Sequence, residues 1–247
     1  MSPTTAIALV CKTPAIGRGK SRLWPLLGPA RTAQLSACFI RDLAETLAAL
    51  PASLSRQCYA LFSPAGTETA LRKLLTPDWQ LIPREADDVG QVLEVSLKAL
   101  LQAGHDGVIF MNGDSPSLPG VLIEEAINAL RADGDRVVLG PSLDGGYYLI
   151  GLKRFHPALF RDIAWSTPAV FTETYECAVQ MGLPVYVLHE WYDVDEADDF
   201  DRLTAEFGGQ VPFADSVVKA GPARHTRALL AVWTAMETAP PEQPSQD

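Results

Sequence analysis

Gly107-Val108-Ile109-Phe110-Met111-Asn112-Gly113-Asp114-Ser115-Pro116 is the stretch that decides the architecture. Its first five residues carry no polar side chain and show no alternation, which is the pattern of a strand covered on both faces. A polar turn holding a carboxylate follows at once. In an open α/β sheet, ligands bind just beyond such carboxyl ends. Ala6-Ile7-Ala8-Leu9-Val10-Cys11 reads the same way, and it runs into a loop from Lys12 to Arg22.

Working outward, the two strands belong to an alternating series. Leu35, Phe39, Leu43 and Leu47 recur at helical spacing within 30–50, and Pro51 stops the run. A strand is expected at 58–62, a helix at 67–75, a strand at 79–82 and a helix at 89–103. After the strand at 107–111 comes a helix at 121–130. Strands alternating with helices imply a mostly parallel sheet with helices on both faces, a three-layer αβα arrangement. Residues 136–140 and 147–151 then read as two strands with no room for a helix between them. The sheet is therefore expected to become mixed in its second half. A helix at 167–181, a strand at 185–188 and an acidic helix at 196–207 complete a domain of residues 1–207. Gly208-Gly209 marks its edge. Residues 208–239 are expected to form a helical extension, with Leu229, Leu230, Trp233 and Met236 on one face. The Pro-rich end, 240–247, is expected to be a disordered tail.

Composition narrows the function classes. The net charge is −10 with no basic run of five or more residues, which argues against a nucleic-acid or anionic-membrane partner. A small phosphorylated ligand needs only a few local cations. Cys11, Cys38, Cys58 and Cys177 form no CxxC pair, so they read as reduced thiols of a cytoplasmic protein rather than a zinc site. The N-terminal residues lack the basic-then-apolar pattern of a signal peptide, and no run approaches the ~20 apolar residues of a membrane span.

Four loops at strand ends carry chemistry. The first holds Lys12, Arg18, Lys20 and Arg22 with Gly17 and Gly19 between them. Cations on a glycine-containing loop can wrap a di- or triphosphate, although GxxxxGK[ST] is not met. The bland reading is a solvated surface loop. In the second, Asp114 is either a ligand for Mg²⁺ or Mn²⁺, which prefer oxygen, or the cap of an Asx-turn. The third, Asp144-Gly145-Gly146-Tyr147-Tyr148, is a hairpin turn whose glycines also let a ligand approach the backbone. In the fourth, Asp193 or Asp195 is a second metal ligand, unless Asp195 only caps the acidic helix.

The order of these pieces resembles a bacterial glycosyltransferase-A-like family, sometimes called selenodomain- or arsenosugar-associated transferases and long labelled a domain of unknown function. The resemblance spans about residues 5–206. It rests on Lys12-Thr13-Pro14 with Gly17 and Lys20-Ser21-Arg22-Leu23, and on Gly113-Asp114-Ser115-Pro116. It continues through Gly140-Pro141 with Asp144 to Gly151, Trp165-Ser166-Thr167, and Asp193-Val194-Asp195 with Asp198-Asp199-Phe200. Phospholactate and molybdenum-cofactor guanylyltransferases look like more distant cousins. Around Asp88 and Gly90 the family usually carries a nearby Arg; here Arg84 stands upstream instead.

The resemblance implies the Rossmann-like GT-A fold of nucleotide-diphospho-sugar transferases, a nucleotide or nucleotide-sugar donor, a small-molecule acceptor and a divalent metal. By it, Asp114 and Asp195 take the metal. Lys12, Gly17, Lys20, Arg22, Asp88 and Gly90 face the nucleotide and its phosphates. Gly145, Gly146, Tyr147, Trp165, Ser166 and Thr167 face the acceptor. Asp114, Asp144 and Lys20 are the expected catalytic residues, with Asp144, or less plausibly His189, placed to take a proton from the acceptor. Glycosyl transfer is the leading reading. Nucleotidyl transfer onto a phosphorylated metabolite is the second, and a non-catalytic nucleotide-binding protein the third.

Overall fold

The computed structural model describes residues 4–84, 88–213 and 218–238. The expected tail at 240–247 lies outside the described residues. A seven-stranded sheet forms the middle layer: β1 (Thr5–Lys12), β2 (Arg56–Ser63), β3 (Gln80–Pro83), β4 (Gly107–Asn112), β5 (Val137–Pro141), β6 (Tyr147–Leu152) and β7 (Val185–Val187), in the order β3-β2-β1-β4-β6-β5-β7. β1 pairs in parallel with both β2 and β4. β6 is antiparallel to both its neighbours, and β7 is parallel to β5. The expected mixed second half is therefore one reversed strand, β6, in an otherwise parallel sheet.

The apolar strands are buried on both faces, which is why they show no alternation. Ile7, Leu9, Ile109 and Met111 pack on one side against α1 (Trp24–Ala49), α4 (Gly120–Arg131) and α7 (Arg224–Thr238). Ala6, Ala8, Val108 and Phe110 pack on the other against α3 (Val89–Gln102) and α5 (Val170–Gln180). Fully burying a leucine- or phenylalanine-sized side chain contributes about 1.5–3 kcal/mol, and both faces are filled with such residues. The short α2 (Glu68–Arg72) precedes β3, and the acidic α6 (Ala197–Phe207) follows the fourth loop.

Two elements differ from the sequence expectation. α1 runs from Trp24, but Gly28 (φ 70°, ψ 161°) breaks it, so the regular helix starts at Pro29, close to the expected Ala30. The helical extension is laid on α1 rather than standing apart. The Asp42 carboxylate on α1 accepts from His225 N (2.8 Å), Thr226 N (3.0 Å) and Thr226 Oγ1 (2.5 Å), which caps the start of α7. Trp233 is buried, while Met236 points to solvent at 67 % exposure. Met236 was expected on the apolar face, but only Trp233, Leu229 and Leu230 reach the core.

The topology places the site. Strands β1, β2 and β3 are laid to one side and β4 to the other, so the order reverses between β1 and β4. Their carboxyl ends flank a crevice at that switch point, where open α/β sheets bind ligands. Because β6 runs backwards, its first residue, Tyr147, also sits at this edge.

Candidate active-site cleft

A cleft of about 780 Å³ opens at the switch point. Its floor is built from the ends of β1 and β4, and its walls come from all four loops singled out in the sequence. The β1–α1 loop folds back on itself, with Arg18 N donating to Ala15 O (3.0 Å). Gly17 and Gly19 take positive φ there, and Lys20 follows at φ 46°, ψ 41°. That left-handed residue turns the Lys20 side chain inward.

Lys20 ends among oxygens. Its Nζ donates to Asp114 Oδ1 (2.6 Å), Asp195 Oδ1 (2.7 Å) and Val194 O (2.6 Å). The Lys20 side chain is 7 % exposed, whereas the two carboxylates keep 39 % and 42 %. The knot is thus sealed by the lysine and open to the cleft through the carboxylates. Burial alone would lower the Lys20 pKa, but the two carboxylates outweigh it and hold the ammonium charged. Burial pushes the Asp114 carboxyl up, against the pull of Lys20.

Neighbouring residues take the turn and cap roles open to these aspartates. Asn112, not Asp114, makes the Asx-turn: its Oδ1 accepts from Asp114 N (3.3 Å) and Ser115 Oγ (3.0 Å). Glu196, not Asp195, caps α6, and Asp199 closes the capping box. The Asp114 and Asp195 carboxylates are both left free of turn and cap duty. A backbone bond from Val194 N to Asp114 O (2.9 Å) clamps their loops together.

A third carboxylate joins them. Residues 191–195 run alongside the β5–β6 turn, through Leu143 N to Trp191 O (3.1 Å) and Trp191 N to Pro141 O (3.0 Å). In an extended segment, side chains two apart share a side, so Asp193 reaches the cleft with Asp195. Ser142 Oγ donates to Asp193 Oδ1 (2.8 Å). Burial and the charges of Asp144 and Asp195 push its carboxyl up to about 7. Asp144 hangs in the same cleft, its Oδ1 accepting from Gly146 N (2.8 Å).

Lys12 and Arg22 also line the cleft, with Arg22 paired to Glu196 (2.7 Å). Gly146, Tyr147, Trp165, Ser166 and Thr167 line it too. Tyr147 and Trp165 meet edge to face at 6.3 Å between ring centres.

Four expected site residues are not brought to the cleft surface. Gly17 only shapes the turn. Asp88 spends its carboxylate on Gln91 N (2.6 Å) as the cap of α3. Gly90 lies beneath Trp165, where a Cβ would come within 2.3 Å of the indole nitrogen. Gly145 is pressed on Pro168, where a Cβ would meet the carbonyl oxygen at 2.2 Å. His189 is also outside: its Nδ1 meets Glu190 O (2.7 Å) and its ring packs on Phe213.

Sequence reasoning undervalued Arg84. It lies just past β3, bonds Ser63 Oγ through Nη2 (2.8 Å) and lines the cleft. Its position one residue beyond a parallel strand was the available signal.

The carboxylates suit a hard divalent cation. Asp114 and Asp195 offer oxygens, already converge on one point, and stand in a crowd of four aspartates that one ammonium only partly neutralises. Among the described residues, a tighter His/Asp/Glu group, Asp42, Glu45 and His225, lies instead at the α1–α7 contact, away from the cleft. There Asp42 is occupied as a helix cap.

The comparisons with known proteins bear on the fold. Residues 46–167 match the family described as "Uncharacterized protein conserved in bacteria (DUF2064)". Over that segment, just under half of the chain, the sequence is similar to the family. The segment contains Asp114, Asp144 and Trp165 but stops short of Lys20 and Asp195. No curated protein matches the chain significantly in sequence. Among solved structures, a candidate nucleotide-diphospho-sugar transferase from Desulfovibrio desulfuricans G20 is 28% identical, with a TM-score of 0.79 over 94% of this chain and 96% of that one. The 4-diphosphocytidyl-2C-methyl-D-erythritol synthase of Anaerococcus prevotii is 12% identical, with a TM-score of 0.55 over 82% and 96%. Glucosyl-3-phosphoglycerate synthase of Mycobacterium tuberculosis, solved with Mn²⁺, UDP and glucosyl-3-phosphoglycerate, is 12% identical, with a TM-score of 0.52 over 97% and 81%. The latter two share the fold alone. The chain has the nucleotide-diphospho-sugar transferase fold and is an enzyme of the transferase class.

Proposed function

We propose that this transferase moves a glycosyl group from a nucleoside diphosphate sugar to the hydroxyl of a small acceptor. The observation that carries the reading is the Lys20–Asp114–Asp195 knot at the switch point, under a rim formed by Lys12, Arg18 and Arg22. A diphosphate needs such cations beside it, and charge that develops on a leaving group is where fixed electrostatics help most.

In this reading the donor's diphosphate lies along the β1–α1 loop, gripped by Lys12, Lys20 and Arg22. Asp114 and Asp195 would hold a divalent cation, Mg²⁺ or Mn²⁺, and its charge would neutralise the departing diphosphate. The acceptor rests against Tyr147 and Trp165, within reach of Ser166, Thr167 and Gly146. The bond between the anomeric carbon and the diphosphate oxygen breaks, and the electron pair leaves with the nucleoside diphosphate. The acceptor oxygen bonds to the anomeric carbon, and its proton passes to the Asp144 carboxylate. Arg84, beyond β3, lies on the nucleotide side of the cleft.

Nucleotidyl transfer is the second reading, favoured by the number of cations: Lys12, Arg18, Arg22 and Arg84 would suit a triphosphate. Incubation with Mn²⁺ and nucleotide sugars, or with nucleoside triphosphates and phosphorylated metabolites, separates the two. Release of nucleoside diphosphate supports glycosyl transfer; release of pyrophosphate overturns it. The acidic surface supports a small-molecule partner rather than nucleic acid. Among the described residues no helix is long and apolar enough to cross a membrane. Four free thiols support the cytoplasm as its place of work.

A further inference from the structure

Lys20 does more in this geometry than face a phosphate. We propose that its ammonium is the built-in occupant of the divalent-cation position, so that Lys20 and the cation exclude one another. This rests on the assignment of Asp114 and Asp195 as the cation's ligands.

Three observations support it. First, an ammonium has three hydrogens, and all three are spent on oxygens at 2.6–2.7 Å: two carboxylates from different loops and one backbone carbonyl. A hard cation seeks the same set of convergent oxygens. Second, the lysine side chain is nearly sealed while both carboxylates stay open to the cleft. Nζ also sits 5.3 Å from the centre of the Phe39 ring, so an aromatic face backs the cation. Third, the backbone is shaped for this placement. Lys20 holds a left-handed conformation that L-residues with side chains rarely adopt, next to the left-handed Gly19. A relaxed backbone would aim the side chain elsewhere.

An ammonium and a divalent cation cannot share three oxygens, because like charges at that range repel strongly. For the cation to enter, Lys20 must leave and find other anionic oxygens. A diphosphate in the cleft supplies them. The cation therefore binds weakly alone, and the diphosphate couples its entry to the release of Lys20. Coupling of this kind is reciprocal between the two ligands. A permanent staple makes the opposite forecast: there Lys20 holds the three loops together, and removing it would scatter the carboxylates and weaken cation binding.

Mn²⁺ alone, titrated into the full chain and followed by the electron paramagnetic resonance of free Mn²⁺, decides between them. Lys20→Met and Lys20→Gln should each bind Mn²⁺ at least about tenfold tighter than the wild type, and Mn²⁺ should raise their melting temperature more than it raises the wild type's. Unchanged or weaker binding in both variants overturns the proposal. So does failure of both to fold even in Mn²⁺. Adding Asp114→Asn locates the fault. Binding that needs Asp114 but gains nothing from loss of Lys20 refutes the occupant role alone. Binding indifferent to Asp114→Asn refutes the cation assignment as well.

Discussion

Two aspartates, the buried Asp42 and the cleft-lining Asp114, are handled in opposite ways. Burial pushes both carboxyls up. Asp42, on α1, is only 1 % exposed and is satisfied by donors that belong to the start of α7, two of them backbone N–H groups. Those donors cannot leave without unwinding the helix. Asp114 is satisfied by the tip of one long, flexible side chain, Lys20, and stays open to the cleft. A carboxylate with fixed partners serves the fold. One with an exchangeable partner is available to a ligand.

The comparison breaks most readily at Asp114. Asp114→Asn should cut turnover by at least about 100-fold, in line with loss of a preorganised charge at a reacting centre. Its melting temperature should stay close to the wild type's. Donor turnover, followed as nucleoside diphosphate release, checks this; activity within tenfold would make Asp114 another structural carboxylate. Next in size is the converse. Asp42→Ala leaves three donors unpaired and should lower stability by about 2–3 kcal/mol, read from denaturant unfolding, while turnover per folded molecule is unchanged. A loss of activity beyond the loss of fold would tie α7 to the cleft.

Two smaller effects sharpen the boundary between support and site. Gly90→Ala places a Cβ into Trp165, so the indole must shift. The acceptor KM should rise on the order of tenfold, with donor affinity unchanged in a direct binding assay. If donor affinity falls instead, Trp165 belongs to the nucleotide side. Smallest is the response of Cys11, at the end of β1. Burial raises its thiol to about 12. A raised pKa keeps the protonated form, so the native protein should resist iodoacetamide at pH 8 and react only when unfolded. Mass spectrometry of labelled peptides measures it, and rapid native labelling would show that the strand end opens.

Much of this was legible because burial leaves a mark on composition. Strands β1 and β4 read directly as unbroken apolar runs. Asp114 stood out because a carboxylate straight after such a run needs a partner. The helix break at Gly28-Pro29 and the stop near Pro51 follow from backbone sterics alone. Arg84 and Asp193 were less visible, for opposite reasons. Arg84 lies 28 residues before β4's Asn112 in the chain, and only the β2–β3 pairing brings it to the same edge. Asp193 was one of several acids in a row, and its role depends on which side of an extended segment faces the cleft. Asp88 and Gly90 show local roles in the structure, one capping α3 and the other packed beneath Trp165. A helix cap and a close-packing glycine look, in one dimension, like nucleotide contacts.

Periodicity and local sterics are short-range properties, so the residues alone settled the strands, the helices, the mixed sheet and the cation-bearing loop. Which charges meet is a long-range property. Lys20 and Asp195 are separated by 175 positions, and their 2.7 Å contact exists only because the sheet order reverses between β1 and β4 and residues 191–195 run back along the β5–β6 turn. Tertiary structure decided that the lysine sits between the two aspartates rather than beside them. That placement turns a set of candidate ligands into a site with an occupant to displace.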